Sequence, residues 1–477
     1  MPFLKEKASK TAHAEFIENP DITSLVEQSE YLKEPSIESA KQLADGYTPA
    51  SDYESALPKY VYASDGSFYE ASLDDRYPST KVGYVKISSL ILDVSKYQEL
   101  SSNISPTHRY IDPLRKNELE RDVRALSLAL PSSNLRYNRA DSVADGFRQR
   151  LYEDLNHEKT RLPNAGTMLN TLFRMSSTLG GTHGTRTKDG EYFIFIYKCP
   201  SCGHSPEDNG HGQKGYALNN NGDPQVCTHC SKTIYPSDCL RLHETITDHG
   251  GLSGGLSRIM NVSEYLLLAH TIMDCLRGDY LLTLSDLCFF IDGPLAFFGQ
   301  PAWLHRPMME LIYSANKKLK EIGKPPFLMI GIQKQGTLAD HSRMIARHLP
   351  RNHYRFVDDQ YRNRHISPVP ENGFGYETYF GQDIIYHTPK GNIFVLGLPY
   401  PFLNKSHPDF MTEKALDKNY PELNKMLKMT RIFEADIYEG SLIPIIIAHR
   451  NASISRMPGG KVLDIASRIS FDRRAME

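Results

Sequence analysis

The sequence predicts an α/β protein in which a central sheet is covered by helices. Strand and helix patterns alternate from residue 261 to residue 350, and such alternation is typical of a sheet with helices packed on its faces. The stretch at 261–276 has apolar residues at helical spacing, whereas "DLCFFID" at 286–292 and "PFLMIGI" at 326–332 have the length and composition of buried strands. We therefore expect an α/β sheet to form the centre of the molecule.

The composition is that of an ordinary globular chain. The 477 residues are 40% hydrophobic and 23% charged, and the formal net charge is -2, so no overall positive field indicates a nucleic-acid partner. The N-terminal stretch "MPFLKEKASKTAHAEF" lacks the apolar segment of a signal peptide, and the longest apolar runs are too short to span a bilayer. We expect a cytoplasmic protein that does not enter a membrane.

The chain divides into a polar N-terminal arm and a larger folded region. Residues 1–57 are polar with short helical patterns and are interpreted as a docking segment, whereas residues 58–477 are interpreted as the main domain. Residues 112–179 have a helical pattern, which predicts a helical insertion within that domain. Residues 358–383 are interpreted as a loop.

Four of the seven cysteines form two C-x-x-C pairs, Cys199/Cys202 and Cys227/Cys230. Thiolates three residues apart can bind one metal from a tight turn, and two such pairs complete a closed four-thiolate zinc site. The Gly/Asn-rich segment between the pairs cannot form a core of its own, so we predict a ribbon over 191–240 that structural zinc holds together. A redox C-x-x-C is the weaker alternative, because one pair would suffice for it. Alternative metal ligands in the same stretch are His204, His211 and His229.

Two aspartates follow apolar strands and precede glycines. Asp292 ends "LCFFID", and Asp65 lies in "VYASDGS", where the pattern over 60–73 predicts a strand, a tight turn and a second strand. A buried carboxylate costs free energy unless it is paired or bound to a cation. Carboxylates at neighbouring strand ends form an oxygen site for Mg²⁺ or Mn²⁺, and such ions activate water and stabilise a phosphodiester transition state. For either motif alone a simple Asp-Gly turn is the better explanation; the pair favours a cation.

Three further residues are candidates for the same site. Glu264 lies on the helix that precedes the Asp292 strand, His449 follows the apolar run "SLIPIIIAH", and Lys334 follows the strand 327–332. The alternatives are a solvated glutamate at a helix start, a hydrogen-bonded core histidine and an ordinary turn lysine. Sequence spacing does not choose between these interpretations.

Several motifs, taken in order, resemble those of the NurA nucleases, in particular a bacterial branch with a zinc-knuckle insertion. They are "SDGS", "CPSCG", "CTHC", "YPSDCLRLHE", "FFIDGPLAFFGQPAWL", "GIQKQG" and "LIPIIIAHRNASI". The resemblance spans residues 58–470 and rests on the order of the motifs and on the length of the "FIDGPLA" match. It implies an RNase H-like fold, a mixed sheet flanked by helices, with an acidic site that depends on Mn²⁺ or Mg²⁺.

The resemblance also implies roles for individual residues. Asp65, Glu264 and Asp292 would bind the catalytic metal, with His449 as a further ligand or a proton carrier. Glu244 in "LRLHE" is the alternative third carboxylate. The family acts as a homodimer with HerA, a hexameric DNA-translocating ATPase, in DNA end processing or anti-phage defence. The implied activity is that of an exonuclease and single-strand endonuclease.

We expect Lys334 and Arg343 to contact the DNA backbone, and residues 358–383 to lie near DNA. Phosphate contacts position a strand without reading its sequence, so binding should be salt-sensitive and largely independent of sequence. Base stacking is one interpretation of Phe297, Phe298 and Trp303, but core packing explains these side chains better. The rival hypothesis is a non-catalytic zinc-ribbon subunit that binds DNA or docks on an ATPase through residues 1–57 and 112–179.

Overall fold

The computed structural model describes residues 19–29, 32, 35–54, 56–102, 120–178, 182–250, 252–435, 440–454, 462–467 and 469. The strands are β1 (Thr48–Pro49), β2 (Tyr60–Asp74), β3 (Tyr77–Asp93), β4 (Glu120–Pro131), β5 (Gly184–Arg186), β6 (Tyr192–Ile196), β7 (Tyr216–Asn219), β8 (Gln225–Val226), β9 (Thr233–Ile234), β10 (Leu287–Asp292), β11 (Leu328–Gln333), β12 (His353–Phe356), β13 (Gly381–His387) and β14 (Ile393–Pro399).

The helices are α1 (Pro20–Gln28), α2 (Ile37–Ala44), α3 (Val94–Ser102), α4 (Val143–Asn156), α5 (Met168–Ser176), α6 (Ser253–Arg277), α7 (Leu281–Ser285), α8 (His305–Glu321), α9 (Thr337–Ile345), α10 (Asp359–His365), α11 (Phe410–Glu413), α12 (Leu423–Phe433) and α13 (Ile443–Ala452). No helix in the described part of the chain combines the length and the apolar character needed to cross a membrane.

A nine-stranded mixed sheet forms the centre, in the order β1-β12-β13-β14-β11-β10-β2-β3-β4. The neighbours β2, β10 and β11 run parallel, and the other neighbouring strands pair antiparallel. Phe289 and Ile291 pack into one apolar cluster with residues of α4 and α6, whereas Cys288 and Phe290 pack into another with α12 and α13. Burial on both faces explains why β10 is continuously apolar. The predicted α/β class, a mixed sheet flanked by helices, is confirmed.

The predicted turn at Asp65 is wrong, because β2 continues without a break from Tyr60 to Asp74. Asp65 pairs with Ser88 of β3 in the middle of a long hairpin, and the turn falls at residues 75–76 instead. An Asp-Gly pair is a strong local signal for a hairpin turn. Here pairing with β3 overrides that signal. Gly66 is needed instead because helix α6 packs closely against it.

The helical prediction for 112–179 is wrong over residues 120–131, which form strand β4. Strand β4 is the third strand of the β2–β3–β4 meander and lies at the edge of the sheet. Its Leu126, Leu128 and Leu130 are buried, which is the two-residue period of a strand. The helices α4 and α5 follow it, and residues 103–119 lie outside the described part of the chain.

Part of the predicted arm packs onto the main sheet. Strand β1 pairs with β12, and Ala40 and Leu43 of α2 are buried. Helix α1, in contrast, has no buried residue, and residues 1–18 are not described. The segment 358–383 contains α10 and ends in β13, so a loop accounts for only its middle.

The chain that follows Asp292 crosses the sheet over three glycines. Leu295 is fully buried and lies above Gly331, Gly381 and Gly397 of β11, β13 and β14. A Cβ atom at Gly331 would lie 2.8 Å from the Gly293 carbonyl oxygen, and one at Gly381 would lie 2.8 Å from Leu295 Cδ1. The missing side chains therefore leave a path for the "GPLAFF" segment across the sheet.

Candidate active site and metal centre

Two aspartates meet because β2 and β10 are parallel neighbours. Ser64 pairs with Ile291, so the next residue on each strand is an aspartate, Asp65 or Asp292. Side chains at the same register of adjacent parallel strands point to the same face of the sheet. Strand β10 ends at Asp292, where Gly293 adopts φ +113°, while β2 continues past Asp65. The carboxylates of Asp65 and Asp292 thus lie side by side where β10 ends.

Asp65 is buried and held by two hydrogen bonds. Its Oδ1 accepts from the Gly66 amide at 2.7 Å, and its Oδ2 accepts from His449 Nδ1 at 2.7 Å. The pKa of Asp65 is raised, first by burial and then by the charge of Asp292, and His449 partly offsets this increase. The His449 side chain is 62% exposed. The last turn of α13 therefore connects a buried carboxylate to solvent.

Glu264 approaches the same place from α6, on the opposite side of the sheet from α13. Its pKa lies well above the usual range because the side chain is buried and because Asp65 and Asp292 are close. Its Oε1 has no hydrogen-bond partner among the residues that the structure describes. A Cβ atom at Gly66 would collide with that oxygen. Gly66 is therefore needed to admit the carboxylate of Glu264, which is the reason for the Asp-Gly pair within a continuous strand.

Lys334 places a positive charge on Asp292. It lies just past β11, whose Ile332 pairs with Asp292, and its Nζ donates to Asp292 Oδ2 at 2.8 Å. The Arg343 guanidinium donates to the Lys334 carbonyl oxygen and, at 3.1 Å, to Asp340 Oδ1. Both residues predicted to contact DNA thus lie next to the two aspartates. Lys334 forms an ion pair with Asp292, and Arg343 contacts the backbone of Lys334.

Tyr265 was not predicted as a site residue, although it follows Glu264 directly. Its hydroxyl donates to the Pro294 carbonyl oxygen at 2.5 Å, and its ring packs on Phe297 and Phe380 with centroid distances of 4.7 and 5.5 Å. Tyr265 thereby ties α6 to the turn after Asp292. A partner 29 residues away leaves no periodic signal in the sequence.

The two candidates for the third carboxylate lie in different surroundings. Glu264 is buried beside Asp65, whereas Glu244 is exposed and accepts from Arg241 Nε at 2.6 Å. The electrostatic contacts of Glu264 with both aspartates favour it for the acidic cluster, which we define as Asp65, Glu264 and Asp292.

The acidic cluster fits a divalent cation that prefers oxygen ligands. All three side chains are carboxylates, the ligand type of Mg²⁺ and Mn²⁺. Burial and mutual repulsion raise the pKa values of Asp65 and Glu264, and one Glu264 oxygen has no hydrogen-bond partner among the described residues, so a bound cation would stabilise these carboxylates. The carboxylates are more widely spread than the cysteines, because within the described residues only the cysteine group has all its ligand atoms within 4.8 Å of one another.

The four predicted cysteines form a cluster that could hold a metal ion. The Sγ atoms of Cys199 and Cys230, and those of Cys202 and Cys227, are 3.7 Å apart. A tetrahedral site with Zn–S bonds of about 2.3 Å has edges of about 3.8 Å, whereas a disulfide needs about 2.05 Å. The geometry matches zinc binding and excludes disulfides.

Both cysteine turns have the same backbone form. The Gly203 amide donates to the Cys199 carbonyl at 2.9 Å, and the Ser231 amide donates to the Cys227 carbonyl at 3.0 Å. Gly203 and Ser231 have φ values of +73° and +58°. The three candidate histidines are not members of the cluster, since His211 packs on Phe193 and the His204 and His229 rings stack on each other.

A buried arginine connects the ribbon to α4. Arg148, 4% exposed, donates from Nε and Nη2 to the two oxygens of Asp238 at 2.8 and 2.7 Å. Its Nη1 donates to Asp145 Oδ1 at 2.9 Å and to Ser201 Oγ, between Cys199 and Cys202, at 3.2 Å. A bidentate pair of this kind fixes geometry as well as charge. The cysteine turn is thus anchored to the helical layer.

Comparison with known proteins finds NurA structures among the similar solved structures. The NurA nuclease from Sulfolobus solfataricus is 9% identical with a TM-score of 0.33, and the alignment covers 98% of each chain. A second NurA structure is 11% identical with a TM-score of 0.23, covering 92% of this chain and 94% of the other. No protein-family model and no curated protein matches the chain.

Proposed function

We propose that this chain is a divalent-cation-dependent deoxyribonuclease of the NurA type, with the acidic cluster as its active site. The observation that supports this most is the convergence of Asp65, Glu264 and Asp292 from β2, α6 and β10, with one buried Glu264 oxygen unpaired among the described residues. Burial and the charges of the two aspartates raise the pKa of Glu264, so added positive charge would favour ionisation of all three carboxylates. The order of the NurA-like motifs supports the choice of DNA as substrate.

The cluster would hold Mn²⁺ or Mg²⁺ on carboxylate oxygens from two strands and one helix. A cation bound there supplies a Lewis acid for phosphodiester hydrolysis. Asp65 and Asp292 lie at the same height of a rigid sheet, and Glu264 is fixed against Gly66, so the ligands are held by packed elements rather than by loops.

His449 and Lys334 would act on the substrate beside the cluster. The hydrogen bond from His449 Nδ1 to Asp65 leaves Nε2 for exchange of a proton with water or substrate, since the ring is 62% exposed. Lys334 Nζ holds a positive charge at Asp292, where it would attract the phosphate next to the cleaved bond. Arg343, which contacts the backbone of Lys334, would extend this cationic rim.

The finer features of the proposal come from the motif resemblance. They are an RNase H-like arrangement of the sheet, exonuclease and single-strand endonuclease activity, a homodimer, and cooperation with a HerA-type hexameric ATPase in DNA end processing or anti-phage defence. Residues 1–57 would dock on a partner, and the four cysteines would hold structural zinc.

The test is an assay of the purified chain on end-labelled single- and double-stranded DNA with Mn²⁺, with Mg²⁺ and without added cation. We expect Asp65→Ala and Asp292→Ala to lower the rate at least about 100-fold, because metal ligands matter at least as much as the residues that orient them. Asp286→Asn is the matched control, since Asp286 precedes the same strand and pairs with Lys59 at 2.7 Å. It should cut like the parent chain.

The rival docking hypothesis predicts a different result. Folded Asp65→Ala and Asp292→Ala chains that cut as fast as the parent would remove the acidic cluster from catalysis. A parent chain that binds DNA but does not cut it, alone or with an ATPase, would favour the non-catalytic subunit.

A further inference from the structure

A cavity of about 420 Å³ lies between the end of α5, the start of α8 and the segment after β14. Its lining includes His183, Trp303, Arg306, Tyr376 and Lys405, and it shares no residue with the acidic cluster. The described lining contains no aspartate or glutamate. The volume is within the range of small-molecule sites, which is about 300–1,000 Å³.

One wall of the cavity is a flat aromatic pair. The rings of His183 and Trp303 stack with centroids 4.1 Å apart and planes 9° apart. Burial, and secondarily the charge of Arg306, lowers the pKa of His183 to about 4, so the imidazole is neutral at pH 7. Trp303 Nε1 is buried and has no acceptor among the described residues. A planar ligand that carries a hydrogen-bond acceptor would satisfy this N–H group while it packs on the wall.

Cationic groups line another part of the cavity. Lys405 Nζ donates to the carbonyl oxygens of Gly375 and Tyr376 at 3.1 and 2.5 Å, and an ammonium has a third proton to donate. Burial lowers the pKa of Lys405 to about 7; the charge of Glu377 opposes this decrease, and the charges of Lys414 and Arg306 contribute to it. A dianionic phosphate would offset the repulsion of Lys405 by Lys414 and Arg306, and it would accept a hydrogen bond from the third ammonium proton of Lys405.

We propose that this cavity binds a nucleotide, with the base against the His183–Trp303 wall and the terminal phosphate at Lys405 and Arg306. An aromatic wall accepts any base, because every base has a flat face. Lys405 and Arg306 supply two cationic groups for a phosphate, and Arg306, which pairs with Glu377 at 3.6 Å, would exchange that partner for the phosphate. A free mononucleotide and the 5′-phosphorylated end of a DNA strand share this chemistry. The proposal does not depend on nuclease activity at the acidic cluster, so either can fail alone.

The chain contains a single tryptophan, so its fluorescence reports directly on this cavity. The experiment titrates the full chain, without added Mn²⁺ or Mg²⁺, with deoxyadenosine 5′-monophosphate, deoxyadenosine and inorganic phosphate. We expect the nucleotide to change the fluorescence saturably and to bind at least about tenfold more tightly than deoxyadenosine or phosphate alone, the effect of about 1.4 kcal/mol. Equal affinity for nucleotide and nucleoside, or no binding at millimolar nucleotide, would overturn the proposal.

Variants separate the phosphate contacts from folding. Lys405→Met should weaken nucleotide binding at least about tenfold, and Arg306→Gln, at a side chain that is 61% exposed and outside the core, should weaken it several-fold. The control Lys320→Met changes a lysine on the same helix as Arg306, about 21 Å away along α8, and should bind like the parent. Unchanged binding by both Lys405→Met and Arg306→Gln would contradict the proposed phosphate site.

Oligonucleotide arms distinguish the two sources of the ligand. If the ligand is a strand end, a 5′-phosphorylated oligonucleotide should bind more tightly than both the mononucleotide and the 5′-hydroxyl oligonucleotide. If the ligand is a free nucleotide, the mononucleotide should bind more tightly than either oligonucleotide. In both cases equilibrium dialysis with Trp303→Phe, which lacks the indole N–H group, should show weaker binding than the parent.

Discussion

The two candidate metal sites are built in opposite ways. The cysteine cluster uses two short turns from one ribbon, and two pairs of its Sγ atoms are 3.7 Å apart, close to the spacing of a tetrahedral site. The acidic cluster uses β2, α6 and β10, of which β2 is distant in sequence from the other two. It carries Lys334 on one acid and, among the described residues, an oxygen without a hydrogen-bond partner on another. The first is closed around one position, whereas the second is open to solvent through His449.

This difference indicates different uses of a metal. Four thiolates satisfy a zinc ion completely and leave no position for a substrate, so such a site contributes folding free energy. Carboxylates on separate rigid elements leave room for water and phosphate, so such a site can support chemistry. Removing a metal should therefore unfold the first region and inactivate the second.

The largest expected effect is loss of zinc from the ribbon. Binding of a structural zinc is worth on the order of 10 kcal/mol, so Cys227→Ser should abolish metal binding and unfold residues 191–240 locally. Elemental analysis should find about one zinc per parent chain and none in the variant, and limited proteolysis should cut the variant within the ribbon. The control Cys275→Ser removes a buried cysteine outside the cluster and should retain zinc. A folded parent chain that contains no zinc would show that the cysteine cluster is not a structural metal site.

The second largest effect concerns the acidic cluster, which should gain stability from Mn²⁺. A cation that binds only the folded chain stabilises it by about 2.7 kcal/mol at one hundred times its Kd. Thermal unfolding should therefore shift upward with Mn²⁺ in the parent chain. The shift should be much smaller in Glu264→Gln and Asp292→Asn, which remove ligand charge at similar side-chain size. An equal shift in all three chains would place the Mn²⁺ site elsewhere.

A third effect comes from the glycine that admits Glu264. Gly66→Ala would place a Cβ atom against Glu264 Oε1 and 2.6 Å from Met260 Cγ, which should cost about 1–3 kcal/mol of unfolding free energy. If Glu264 binds the catalytic metal as proposed, displacing its carboxylate by about 1 Å should lower the cutting rate about 100-fold. Chemical denaturation and the DNA assay would measure the two quantities.

A matched glycine separates catalysis from packing. Gly83→Ala would place its Cβ atom 2.7 Å from Leu256 Cδ2 on the same helix, α6, but not against an acid. It should lose similar stability and keep most of the activity. If Gly66→Ala and Gly83→Ala lose activity equally, the contact of Gly66 with Glu264 has no special importance for cutting.

The sequence predicted the local features of both sites better than the distant ones. The cysteine cluster was predictable because the spacing within each pair determines the turn, and Asp292 was predictable because an apolar strand ends there. The Asp65 turn was wrong because the Asp-Gly signal is local, whereas pairing with β3 and the space that Glu264 needs are not. The sequence could not choose between Glu264 and Glu244, because the choice depends on which of them the fold places next to β2. In the structure, α6 places Glu264 there.

Two further features required the register of the strands. The pairing of Asp292 with Ile332 places Lys334 beside the Asp292 carboxylate. Residues 120–131 form strand β4 of the sheet, although the sequence around them has a helical pattern. Apolar residues in "ALSLALP" alternate as in a strand, but the helical sequence patterns on both sides concealed this short signal.

The smallest expected effect tests whether the cationic rim belongs to the acidic site alone. If Lys334 contacts one phosphate, Lys334→Met should reduce the slope of log Kd for DNA against log salt concentration by about 1. Binding would be measured without divalent cation, so that no DNA is cut, and Cys227→Ser should leave the slope unchanged if the ribbon makes no phosphate contact. A reduced slope in Cys227→Ser but not in Lys334→Met would reverse the comparison, because the ribbon would then be the DNA-binding region and the acidic cluster would lack its substrate contact.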